Sequence, residues 1–90
     1  MPLEIKPGGG WHRLLARVVQ GEPATLGELV AEVRDATPGT ARRAANSKVR
    51  AAAVGLEALG LTQLHGKRLT PTPRAAAELA RLDALAKEDA

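Results

Sequence analysis

Ninety residues carrying a net charge of +3, with no Phe, Tyr or Cys and a single Trp, allow one small domain whose core is built from Leu, Val and Ala. The absence of cysteine excludes a disulfide framework and any thiolate metal centre. No apolar run approaches the roughly 20 residues that span a bilayer, and residues 1–10 hold no apolar signal-peptide stretch, so a cytoplasmic, nucleoid-associated location is expected.

In chain order, residues 1–10 are expected as a flexible arm, because Pro2, Pro7 and the Gly8-Gly9-Gly10 run oppose a helix. That glycine run is no phosphate loop, since it lacks both the following Lys-Ser/Thr and a preceding strand. A first helix is predicted from Gly10 or Trp11 to about Gln20. Trp11, Leu14, Leu15 and Val18 form one stripe, and Gly21 ends it. Glu22-Pro23-Ala24 is a connector with room for a brief extended segment. Thr25-Leu26-Gly27-Glu28 is an S/T-x-x-E capping box. The helix it opens carries Leu26, Leu29, Val30 and Val33 on one side and fades near Asp35.

Ala36-Thr37-Pro38-Gly39-Thr40 is a turn by composition. A third helix opens after it, capped by Thr37 with Pro38 in first position, or by Thr40, and runs to Leu59; it is expected as one rod from Ala41, or, being long for so small a domain, with its first turn belonging to the preceding loop. Gly60 is placed to adopt the left-handed conformation there, with Leu61 folding back. Two strands follow, Thr62-Gln63-Leu64 and Arg68-Leu69-Thr70, around a tight turn at His65-Gly66-Lys67, with Leu64 and Leu69 facing the core together. Such a hairpin is too weak to stand without helices behind it. Thr72 and Pro73 then open a fourth helix as N-cap and N1, with Ala75, Leu79, Leu82 and Ala86 as its stripe, and residues 87–90 are expected to fray.

The third helix carries the functional argument. At about 100° per residue, Ala45, Val49, Ala52, Leu56 and Leu59 share one side, while Arg43, Ser47, Arg50 and Val54 share the other, with Asn46 beside them. Those groups suit base edges: Arg pairs with guanine, Asn with adenine, Ser with either, and an apolar tip meets the thymine methyl. Arg43, Asn46, Ser47 and Arg50 are therefore the candidate base readers. Arg42 and Lys48 flank them and suit phosphates, as do Lys67 and Arg68 on the hairpin. Residues 36–74 hold seven Lys/Arg against Glu57 alone, and no acid falls between Thr37 and Leu56. A solvated helix ordinarily mixes in acids for i,i+4 pairs, so the bias points to a phosphate-binding face. His12 and His65 are too few and too isolated for a metal site, Ser47 has no His–Asp partners, and no catalytic residue, cofactor or small-molecule ligand is expected.

Three segments resemble bacterial and phage winged helix-turn-helix regulators of the MarR-like and related types. Ala24-Thr25-Leu26-Gly27-Glu28-Leu29-Val30 is similar to the opening of their second helix. Ser47-Lys48-Val49-Arg50 leading into Leu56-Glu57-Ala58-Leu59-Gly60-Leu61 is similar to their recognition helix. Gly66-Lys67-Arg68-Leu69-Thr70-Pro71-Thr72-Pro73-Arg74 is similar to their wing and the start of the next helix, with Pro73 where the pattern has Gly. The resemblance covers residues 11–82. It implies a mainly α fold with a small β-hairpin: a three-helix core, a wing and a C-terminal fourth helix. The division is an arm over 1–10, the domain over 11–74, and a helix over 75–90 that packs on the domain or pairs with a twin in a homodimer. The implied function is sequence-specific binding of double-stranded DNA by a small transcriptional regulator. Two alternatives stand beside it: a winged-helix protein-docking module, and a DNA-bending, excisionase-like recombination accessory factor.

Overall fold

A computed structural model describes residues 4–88. Its elements are α1 (Gly10–Gln20), β1 (Ala24–Thr25), α2 (Leu26–Ala36), a 3-10 helix (Gly39–Ala44), α3 (Ala45–Ala58), β2 (Thr62–His65), β3 (Arg68–Pro71) and α4 (Ala75–Glu88). The described chain is mainly helical, with a three-stranded antiparallel sheet in the order β1-β3-β2.

Two local signals set helix ends as the residues dictate. At the start of α2, the Thr25 hydroxyl accepts from the Glu28 N–H at 3.1 Å, and the Glu28 carboxylate accepts from the Thr25 N–H at 3.3 Å. At the end of α3, Gly60 adopts φ +76. Its N–H donates to the Glu57 carbonyl and that of Leu61 to the Leu56 carbonyl, both at 2.9 Å. This pair of bonds closes the last turn and sends the chain into β2.

Leu15 of α1, Leu56 of α3 and Leu82 of α4 are at 0% exposure, so the three helices meet on leucine. Ala52, Ala53 and Ala75 are buried in the same core, where small side chains let the backbone elements approach. The lone aromatic ring has a dedicated seat. A Cβ added at Gly55 would overlap the Trp11 ring, meeting Cζ2 at 2.8 Å. Helix α4 packs on α1 and is tied to it by His12, which is buried. His12 Nδ1 accepts from the Gly8 N–H at 2.8 Å, so Nε2 carries the ring proton and donates to Asp83 Oδ1 at 2.7 Å.

Several expectations are corrected by tertiary contacts. The segment before α1 is not a free arm over its described part: Ile5 lies in the core and Gly9 closes a turn onto Lys6. Residues 1–3 of that expected arm, and 89–90 of the expected fray, lie outside the described residues. Thr37 does not cap the third helix; its hydroxyl donates back to the Val33 carbonyl at 2.6 Å and finishes α2. Thr72 does not cap the fourth; its hydroxyl donates to the Gly60 carbonyl at 2.6 Å, and α4 begins at Ala75. Leu64 and Leu69 are cross-strand partners, but only Leu69 is buried. Leu69 sits on the central strand, flanked by β1 as well as β2, whereas Leu64 is on an edge strand and stays 40% exposed. Val33, expected in the α2 stripe, is likewise exposed near that helix's end.

Candidate nucleic-acid interface

The core side of α3 buries Ala45, Val49, Ala52 and Leu56, and also Ala53 and Gly55. Helical geometry then directs Asn46, Ser47, Arg50, Val54 and Glu57 away from the core, and all are exposed. Val54 is a β-branched apolar residue 68% exposed among polar neighbours. Lys48 is exposed beside this face. Asn46 and Arg50 do not stand apart: Arg50 Nε donates to Asn46 Oδ1 at 2.7 Å, across one helical turn. Their i,i+4 spacing was a usable sign of this bond.

The expected single rod from Ala41 to Leu59 is α-helical only from Ala45, its first turn being 3-10. Pro38 is extended at φ −81 and ψ 158, and Gly39 takes φ +68, so the chain enters through a 3-10 helix over Gly39–Ala44. Ala44 then provides no side-chain cap for α3. A 3-10 residue turns about 120°, against about 100° in an α-helix. Over the one or two residues between Arg43 and α3 this adds about 20–40°, so Arg43 stays close to the direction of Arg50 and lies on the tighter turn ahead of it. Arg42 shares that turn, and its Nη2 lies 3.7 Å from Asp35 Oδ1, an oxygen also 3.5 Å from Arg34 Nε. Part of the Arg42 charge is therefore answered within the chain. Among the described residues, Arg43, Lys48, Arg50, Lys67 and Arg68 make no ion pair with an acid.

The hairpin presents Lys67 and Arg68 in the open. Gly66 takes φ +65 and Lys67 a negative φ, the sequence of dihedral signs of a type II′ turn, which matches the twist of the strands. Three strands rather than two fix its position. Ala24 and Thr25 of β1 pair with Leu69 and Arg68, and the Leu26 N–H donates to the Lys67 carbonyl at 3.1 Å. The first turn of α2 and the tip of the hairpin are thus joined through backbone. The Glu22-Pro23-Ala24 connector carried only a weak sign of this strand.

On the other side of α3, an open groove of about 760 Å3 runs between α1, α2 and α3, floored by Leu14, Leu29, Val49 and Ala52. Arg17 holds its α1 and α2 walls together through Glu32, with Nε–Oε1 at 2.8 Å and Nη2–Oε2 at 3.0 Å. That hydrogen bond raises the Arg17 pKa above its ordinary value. Among the described residues no group of three or more His, Asp or Glu side chains could hold a metal ion, and no helix is long and apolar enough to cross a membrane. Comparison with protein-family models, curated proteins and solved structures gives no match.

Proposed function

We propose that the chain is a winged helix-turn-helix domain that binds duplex DNA as a small transcriptional regulator. In this reading α3 enters the major groove and the β2–β3 hairpin lies on the minor groove or backbone. The element order supports the fold assignment: two helices joined by a short turn, a hairpin pinned to the start of the first of them, and a helix behind.

The observation that carries the function is the outer side of α3 and its approach, where Arg43, Ser47, Lys48 and Arg50 are exposed with no acid between Thr37 and Leu56. Ser47 and Arg50 face base edges. Arg43, on the tighter turn, joins Lys48, Lys67 and Arg68 on phosphates, with Arg42 a weaker contributor because of Asp35. Glu57 closes the C-terminal end of the same face, and its charge repels phosphate, so the part of α3 ahead of its last turn is the part inserted.

Fluorescence anisotropy with a short mixed-sequence duplex, titrated across ionic strength, tests the reading. Four phosphate contacts give a slope of log K against log salt of roughly −3.6. Lys67→Ala and Arg68→Ala should each reduce the slope by about 1 while weakening all sequences alike. Absence of binding at low salt, or slopes unchanged in both variants, overturns it. The protein-docking alternative draws on the groove between α1, α2 and α3 and predicts that first result.

A further inference from the structure

The bond between Asn46 and Arg50 changes what each can do. An adenine needs both ends of an Asn amide, the oxygen accepting from N6 and the nitrogen donating to N7. Asn46 Oδ1 already accepts from Arg50 Nε at 2.7 Å. With one lone pair of that oxygen turned to Arg50, Asn46 acts as a brace for the guanidinium. The guanidinium it holds has Nε occupied, which leaves the two terminal nitrogens as the free fork. That fork is the one that meets guanine O6 and N7 end-on, and a braced arginine loses less rotamer freedom on binding.

One turn beyond Arg50 stands Val54, 68% exposed. Asn46, Arg50 and Val54 follow one another at i, i+4 and i+8, a ridge inclined about 26° to the helix axis. Val54 sits about 6 Å beyond Arg50 along the axis, or between one and two base-pair steps of about 3.4 Å. A bare isopropyl group in that place has one apolar feature of the major groove to meet, the 5-methyl group of thymine.

We propose that α3 reads a guanine with a thymine one or two base pairs away: Arg50, braced by Asn46, donates to guanine O6 and N7, and Val54 covers the thymine methyl. This rests on the duplex-DNA reading above. Asn46 is then a positioning residue, and Arg50 and Val54 determine specificity.

The test uses the full chain and a duplex selected from a random pool, with each guanine replaced in turn by 7-deazaguanine and each thymine by uracil. The first change removes N7 and the second removes the methyl, leaving Watson–Crick pairing intact. One 7-deazaguanine position should weaken binding roughly tenfold, and one uracil position within two steps of it roughly three- to fivefold. Arg50→Ala should abolish the first sensitivity and keep the second; Val54→Ala should do the reverse. Asn46→Ala should shrink the 7-deazaguanine effect without changing the melting temperature, and Asn46→Gln, which keeps an amide oxygen, should restore part of it. If the chain binds the selected duplex with the expected salt dependence but no position responds, or the variants keep both sensitivities, the base assignment fails and the DNA reading survives. If the pool yields no bound duplex at low salt, both fail together.

Discussion

Gly55→Ala should destabilise the domain, although it replaces the second-worst helix former with the best. In the interior of α3 the exchange is worth about 1 kcal/mol in favour of the variant by propensity alone. Against it stands the Trp11 ring, which occupies the space a Cβ would take: three ring carbons come within 2.8 Å of the Cβ position. The ring must swing out or α1 and α3 must part, and overpacking of this kind costs about 1–3 kcal/mol. The net is a loss of up to about 2 kcal/mol, or roughly 8–16 °C in melting temperature at the upper end for a domain of this size. Trp11 is the only fluorophore of its kind, so its emission should shift to the red as the ring becomes wetter. The decisive step is a double-mutant cycle followed by circular dichroism. With Trp11→Ala in place the obstruction is gone, and Gly55→Ala should now stabilise by about 1 kcal/mol. A sign that does not invert, or a single Gly55→Ala variant that melts higher with unchanged emission, refutes the packing argument.

Three further outcomes follow from the same contacts. Asp83→Ala leaves the buried His12 Nε2–H without its partner and should cost about 1–3 kcal/mol in urea unfolding, while His12→Ala and the double variant should reveal the shared energy. Thr62 is at 0% exposure and its Oγ1 has no hydrogen-bond partner among the described residues, so Thr62→Val should raise stability by about 1 kcal/mol in thermal melts. Glu78 accepts a hydrogen bond from Arg81, and this, ahead of the charges of Arg81 and Arg74, lowers its pKa from the ordinary 4.5. A depressed folded-state value means the contribution is present above pH 4.5 and lost as the pH falls through the folded pKa. Glu78→Gln should therefore flatten the acid limb of melting temperature against pH and leave its neutral region nearly parallel to the parent.

The features visible in the residues are those that one short segment decides. The Thr25–Glu28 box and the Gly60 stop depend on neighbours within a turn, and both stand as expected. The hydroxyls of Thr37 and Thr72 were less legible because a threonine can donate as well as accept. Each has the chemistry of an N-cap, yet Thr37 donates to the Val33 carbonyl in the last turn of α2 and Thr72 to the Gly60 carbonyl just past α3. The third strand, the burial of Ile5 and the exposure of Leu64 depend on what arrives from elsewhere in the chain, which periodicity does not carry. Gly55 lay between: glycine inside a helix is costly and usually has a packing reason, but nothing in its own segment names Trp11. In the candidate interface the residue types were legible and their coupling was not. Asn46 and Arg50 were counted as two readers where the structure joins them, and Arg43 was placed on one α-helical rod where the structure has it on a 3-10 turn.

Those corrections sort the basic residues by how firmly each is held. Lys67 and Arg68 sit on a hairpin whose backbone is fixed on two sides, by β2 and by the Leu26 N–H and β1, while their exposed side chains make no ion pair among the described residues. Free cations on a fixed backbone suit phosphates, which repeat along a duplex and tolerate a loose side chain. Arg50 is the opposite case: the side chain itself is braced, which supports the helix and also fixes its direction, as suits a base edge. Substitutions on the hairpin should therefore change how strongly DNA is held at a given salt, and substitutions along the Asn46–Arg50–Val54 file should change which DNA is held. A hairpin variant that altered base preference, or an α3 variant that altered only the salt slope, would show that this division by rigidity does not describe the surface.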